Sequence, residues 1–265
     1  MHYDRVLVAL DGRQTTPAAL TAATTLAQAW RARLDPVHVP HDRSGPPPET
    51  HPAARLLDPG DPAETLLAEA GRDADATLLV LGTRARTAAT EAVFGSVCST
   101  VLRRMAAPMV IVGPAAAPPE RQPRRIVVPV DGSTTADTIL PVVSRWAGSL
   151  HCSLHLVHVI YPPGDVRQGE VRLPEEVDQV VERLRSHVDT LASEGVESTW
   201  QLHEATSSGA GIVDHAQRNH ADLIAMSTHG RSALARLLVG STTMEVLRRT
   251  RLPVLTLRPT GLDTD

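Results

Sequence analysis

Short apolar runs alternate along the chain with longer stretches in which apolar positions recur every three or four residues, the mark of strands alternating with amphipathic helices. In the first half the runs predict strands over residues 5–10, 34–39, 77–82 and 109–112, with a weaker third strand near 54–57. Helices are predicted between them over 17–33, 63–71 and 96–105. The second half is patterned more clearly, with strands at 125–130, 153–160, 197–203, 222–227 and 253–257. Its helices are predicted near 135–148, 174–195, 209–219 and 232–249. Strands that are apolar on both faces belong in a parallel sheet covered on both sides. Right-handed crossovers then make each half a doubly wound α/β domain.

The pattern is written twice. Arg5-Val-Leu-Val-Ala-Leu-Asp11-Gly12 returns as Arg125-Ile-Val-Val-Pro-Val-Asp131-Gly132, 120 residues later. Leu102-Arg-Arg-Met-Ala-Ala-Pro108 returns as Leu247-Arg-Arg-Thr-Arg-Leu-Pro253 at an offset of 145, so the second copy carries about 25 extra residues. These fall around 161–174 and lengthen the helix that follows. A repeat this long is a duplicated domain, since solenoid units run roughly 20–50 residues. The expected division is domain 1 over 1–113, a linker over 114–124, domain 2 over 125–259 and a tail over 260–265. Proline and alanine in the linker make it semi-rigid. A second proline-rich stretch, 41–52, is expected to be an exposed loop.

Composition narrows the function classes. Net charge is −4 and pI about 6.3, so no general electrostatic attraction to nucleic acid is expected. Six aromatic residues are too few for base-stacking platforms. The first apolar run is too short for a secretory or membrane segment, and Cys98 and Cys152 read as reduced thiols in a cytoplasmic protein. Every basic side chain apart from histidine is arginine, which excludes a phosphate-binding or Schiff-base lysine.

Candidate chemistry gathers where ligands bind such sheets, beyond the carboxyl ends of the strands. Asp11 and Asp131 end the first strand of each copy and precede glycine; alone, each reads as a turn former or helix cap. After the fourth strand the second copy has Ser227-Thr-His229-Gly230, nine residues, then Gly240-Ser241-Thr242-Thr243. The first has Gly82-Thr-Arg-Ala85, nine residues, then Gly95-Ser96-Val97-Cys98. Glycine and serine opening a helix offer free amides and a hydroxyl to an anion. His151, His155 and His158 do not read as a metal site, because on one strand they would divide between its faces and they lack a cysteine or carboxylate partner. No nucleophile, base and orienter assemble, so an enzyme is not indicated.

On these residues both halves resemble the universal stress protein domain, whose nucleotide-binding members show Gly-x2-Gly-x9-Gly-Ser/Thr after the fourth strand. The resemblance implies two tandem five-stranded parallel sheets of order 3-2-1-4-5, of the adenine-nucleotide alpha-hydrolase-like type, with fifth strands paired antiparallel across the copies. It further implies ATP as ligand, Mg²⁺ held mainly through the phosphates, and a homodimer of tandem chains with protein partners unknown, without nucleic acid or membrane. Carried over residue by residue, Asp131, Pro129 and the Val159 backbone line the adenosine pocket. Ser227, His229 and Gly230 pass beneath ribose and phosphates, and Gly240, Ser241, Thr242 and Thr243 take the phosphate chain. The matching first-copy positions are Asp11, Ala9, Val39, Gly82, Gly95 and Ser96. Ser227 and Ala85 each replace a motif glycine, and Ala85 costs more if positive φ is needed, by about 1 kcal/mol. The second site is therefore expected to be the better one. The competing expectations are a nucleotide-free interaction scaffold and a slow Mg²⁺-dependent ATPase.

Overall fold

A computed structural model describes residues 2–10, 17–40, 54–83, 95–119, 121–161, 174–228 and 239–259. The first copy runs β1 (Arg5–Ala9), α1 (Pro17–Trp30), β2 (Arg33–His38), β3 (Arg55–Leu56), α2 (Pro62–Gly71), β4 (Thr77–Gly82), α3 (Ser96–Arg104) and β5 (Met109–Val112). The second runs β6 (Arg125–Pro129), α4 (Thr134–Asp137), α5 (Leu140–Leu150), β7 (Ser153–Ile160), α6 (Pro174–Ser193), β8 (Ser198–Glu204), α7 (Ser208–Arg218), β9 (Leu223–Ser227), α8 (Ser241–Arg249) and β10 (Pro253–Leu257).

All ten strands form one sheet in the order β3-β2-β1-β4-β5-β10-β9-β6-β7-β8. Each half has the order 3-2-1-4-5 within itself. Pairing is parallel throughout except at the seam, where β5 and β10 run antiparallel, with Pro253 opposite Val112 and Thr256 opposite Met109. The implied seam is present. It removes two edges that would otherwise carry unpaired backbone groups.

One core lies on each face, and each core crosses the seam. On one face α1, α5 and α6 cover Val6, Val8, Val110, Val128 and Leu255. On the other α2, α3, α7 and α8 cover Leu7, Leu79, Ile111, Val127 and Val254. This alternation along the strands is the physical reason their residues are apolar on both sides.

Some boundaries differ from the sequence expectation. The single helix expected over 135–148 is broken at Thr138–Ile139, because Pro141 in the first turn of α5 has no N–H for the preceding turn. Helix α1 stops at Trp30, where Arg31 takes φ 55°, and Arg33 already belongs to β2. His151 does the same at φ 53° after α5, so it is a helix-ending residue and not part of β7. Helix α8 starts at Ser241 and not at 232, with Val239 and Gly240 outside it; 231–238 lie outside the described residues. The 20-residue α6 occupies the connection that holds the second copy's extra length.

The same buried position is filled with opposite chemistry in the two copies. Between β1, β2 and α2, Glu69 accepts from Arg5 at 2.9 Å and Arg55 at 2.7 Å, while Asp35 pairs Arg55 at 2.8 Å. At the repeat-equivalent positions stand His155 for Asp35 and His215 for Glu69. His215 lies edge-on to His203, centroids 5.4 Å apart, and His203 Nε2 meets Asp214 at 2.9 Å.

Candidate functional site

The carboxyl ends of β6, β7 and β9 and the N-termini of α7 and α8 share one edge of the second copy. There the chain leaves β6 through Val130, whose amide makes the last ladder bond, to Val157 O at 2.9 Å. Asp131 then closes a tight turn in which its Oδ1 accepts from the Ser133 amide at 2.9 Å and the Ser133 hydroxyl at 2.6 Å. Gly132 takes φ 81° within that turn, a conformation L side chains avoid. The Ser133 hydroxyl in turn caps α4 by accepting from the Ala136 amide at 3.1 Å. Asp131 is thus held as a turn former at the lip of the edge, half-buried.

Beyond β9 the Thr228 amide bonds Leu257 O at 2.9 Å, tying the strand exit to the seam strand. Gly240 returns to the same point, its amide donating to Thr228 O at 3.0 Å, and becomes the N-cap of α8 at φ −55°, ψ 143°. Among the described residues no side chain caps that helix. Ser241 is exposed and Thr242 half-buried at its opening. Thr243 instead points inward: it is buried, and its hydroxyl lies 3.4 Å from the carbonyls of both Ser227 and Thr228. It braces the helix against the strand end.

The first copy repeats the frame. Gly95 caps α3 at φ −54°, ψ 146°, again without a side-chain cap from the described residues, and Ser96 is exposed. Thr83 donates through its amide to Val112 O at 2.8 Å, next to Gly82. Cys98 stands where the second copy has Thr243, and burial pushes its thiol up to about 12. A Cβ placed on Gly95 would meet nothing within 4 Å. Its φ is also ordinary, so neither torsion nor crowding by the described residues calls for glycine there. Ala9 and Pro129 end their strands half-buried, and Val39 and Val159 are buried beside them. Asp11, Ala85, His229 and Gly230 lie outside the described residues, as do Arg13, Arg84, Arg86, Arg231 and Arg236.

Sequence reasoning weighed His158 only as a metal ligand and missed its place in the sheet. Its Nδ1 lies 2.7 Å from Val130 O, buried, and in the first copy His38 Nδ1 lies 2.9 Å from Leu10 O. A carbonyl only accepts, so both rings carry the proton on Nδ1. The signal was present in the repeat itself, as Val37-His38-Val39 and Val157-His158-Val159. Among the described residues no group of three or more histidine, cysteine or acidic side chains is arranged to hold a metal ion.

Comparison with known proteins gives this edge a context. A model of the universal stress protein family matches residues 48–113 and 123–258. Universal stress protein Slr1230 of Synechocystis is 27% identical over 186 residues, covering 69% of this chain and 58% of that one. The chain therefore matches somewhat over half the length of this curated relative. A functionally unknown protein from Pseudomonas aeruginosa PAO1 has the same fold at TM-score 0.66, with 17% identity over 98% of this chain and 94% of that one. A universal stress protein from Archaeoglobus fulgidus solved in complex with dAMP is a half-length neighbour, 24% identical over 51% of this chain and 97% of that one, at TM-score 0.41. The family pattern, met in both halves over most of their length, makes this chain a member of the universal stress protein family.

Proposed function

We propose that the second copy binds ATP at its carboxyl edge and that the protein acts in stress response through the nucleotide-bound state. The observation that carries the reading is the opening of α8. Gly240 is drawn back to Thr228, no side chain among the described residues caps the helix, and Ser241 stands exposed at its first turn. First-turn amides, which have no partner within their own helix, and the positive end of the helix dipole favour a phosphate. The open space at the equivalent Gly95 supports the same use, since the glycine serves no packing need of the described residues.

Asp131 and the Val159 backbone would face the nucleoside, and Gly240, Ser241 and Thr242 the phosphates. Mg²⁺ would arrive with the phosphates, because the described acids form no cluster of their own for it. The motif residues offer no nucleophile paired with a base, so hydrolysis would be at most slow. The output is then stability and altered partner binding: at 100 times Kd, linkage contributes about 2.7 kcal/mol to the bound fold. A cytoplasmic setting and pairing of two tandem chains belong to the same reading, and light scattering at single-chain mass would remove the pairing.

Thermal denaturation with millimolar ATP and Mg²⁺ tests the central claim. A rise in Tm that Gly240→Asp abolishes supports it. An unchanged Tm in the wild-type protein overturns it and leaves the interaction scaffold.

A further inference from the structure

Two histidines, His158 buried and His38 half-buried, end the ladders that lead into the sites. The β6–β7 pairs stop at Pro129 opposite Val157, and the last backbone bond runs from the Val130 amide to Val157 O. In a regular parallel ladder the next donor to the Val130 carbonyl would be the Val159 amide. That carbonyl accepts instead from the His158 ring, at 2.7 Å. The first copy has the same arrangement: the Leu10 amide bonds Val37 O at 2.8 Å, and Leu10 O accepts from His38. A side chain has taken over one rung of the sheet, at the same rung, in both copies.

The rung matters because of what flanks it. Val130 precedes Asp131, and His158 precedes Val159, so one buried hydrogen bond joins the two backbones that carry the polar and apolar lips of the edge. His158 is 1% exposed and its ring is locked by that bond. We propose that His158 is a positioning residue for the second site: its ring holds the Val130 carbonyl, ends the β6–β7 ladder there, and sets the Asp131 turn against the Val159 backbone at the separation a nucleoside requires. This rests on the ATP reading above. His38 is its structural twin at the site where Ala85 replaces a motif glycine, and therefore serves as an internal control.

The experiment compares ATP dissociation constants and Tm for the wild-type chain, His158→Phe, His158→Asn and His38→Phe. Phenylalanine keeps a ring and loses the donor, while asparagine returns an N–H at the same distance from the backbone. The expected result is ATP affinity weakened about tenfold in His158→Phe, largely restored in His158→Asn and unchanged in His38→Phe, although both phenylalanine variants lose Tm alike. Equal affinity in His158→Phe and wild type overturns the positioning role while leaving ATP binding intact. No binding by the wild type overturns the ATP reading and this inference with it. Should His158→Phe fail to fold, ¹⁵N spectra of the wild-type imidazole decide: an Nδ1–H tautomer, unchanged by ATP, supports the rung, and a bare Nδ1 overturns it.

Discussion

Trp30 of the first copy meets Trp146 of the second edge to face, ring centroids 4.7 Å apart, directly over the antiparallel seam. Tyr3 completes the cluster at 4.9 Å from Trp30, and the Trp146 indole donates to its hydroxyl at 3.3 Å. The tryptophans are not repeat equivalents. Leu26 matches Trp146 and Leu150 matches Trp30 in the repeat.

Truncating this cluster should loosen the whole chain and not one half. Trp146→Ala removes a fully buried ring and is expected to cost about 3–5 kcal/mol. Urea unfolding followed by circular dichroism measures it. A loss below about 1 kcal/mol would mean that the seam is held by β5 and β10 alone. Tyr3 offers a spectroscopic check, since burial pushes its phenol up to about 12; its absorbance should not change in mild alkali.

Gly113 follows β5 and touches the end of α8 across the seam. A Cβ there would lie 2.2 Å from Leu247 O, a backbone atom that cannot swing away. Gly113→Ala should therefore destabilise by about 1–3 kcal/mol. Gly95→Ala, whose Cβ would meet none of the described residues, should leave Tm nearly unchanged, so a pair of melting curves separates the two.

The two copies should answer acid differently. Burial, with the nearby charges of His203 and His155, lowers the His215 pKa to about 4. The unfolded chain thus takes up this proton first, and stability from neutral His215 is full above about 6.5 and is lost as pH falls toward 4. Asp214, Arg218, Asn219, Arg125 and Glu197 are the other groups that surround this cluster. Replacing His215 with asparagine should flatten the pH dependence of urea midpoints across that window. An unaltered slope would show that another group carries the acid response.

In the first copy the equivalent position is Glu69. Burial alone would raise its carboxyl, but hydrogen bonds from Arg55 and Arg5 and the charge of Arg72 hold it below the ordinary range. Its contribution is therefore present above the ordinary carboxylate pKa and lost only as pH falls below it. Glu69→Ala removes one of the two carboxylates shared by Arg5 and Arg55, leaving Asp35 as their remaining partner, and should cost about 1–3 kcal/mol. Denaturant melts at neutral pH test this directly, and no loss would mean that Asp35 suffices.

Asp131→Ala should weaken ATP more than Asp11→Ala, by about tenfold against little change. Asp131 holds its turn through Ser133, whereas the first copy has Arg13 at that position. Calorimetric titration of the two variants compares them, and equal losses would place nucleotide in both copies alike.

Much of the scaffold could be read from local pattern. The apolar runs became strands within one or two residues, and even the weak third strand near 54–57 is present as Arg55–Leu56. Pro141, inside a predicted helix, carried a readable break signal that periodicity overrode. At the candidate site the positions of Gly95 and Gly240 followed from spacing, but the direction of Thr243 did not. Its inward hydroxyl depends on carbonyls 15 and 16 residues away, brought close only when α8 packs under β9.

The amino-acid sequence by itself determined two α/β copies, their strands, and the glycines that open α3 and α8. Periodicity and torsional preference act over a few residues, so the chain states them locally. Tertiary structure alone decided that Trp30 bonds Ser149 at 3.0 Å across the seam, that one buried position holds arginine and carboxylate in one copy and histidines in the other, and that His158 serves as a rung of the sheet. Each of these needs side chains from distant segments to share one desolvated space. In that space a polar group is costly unless a partner meets it.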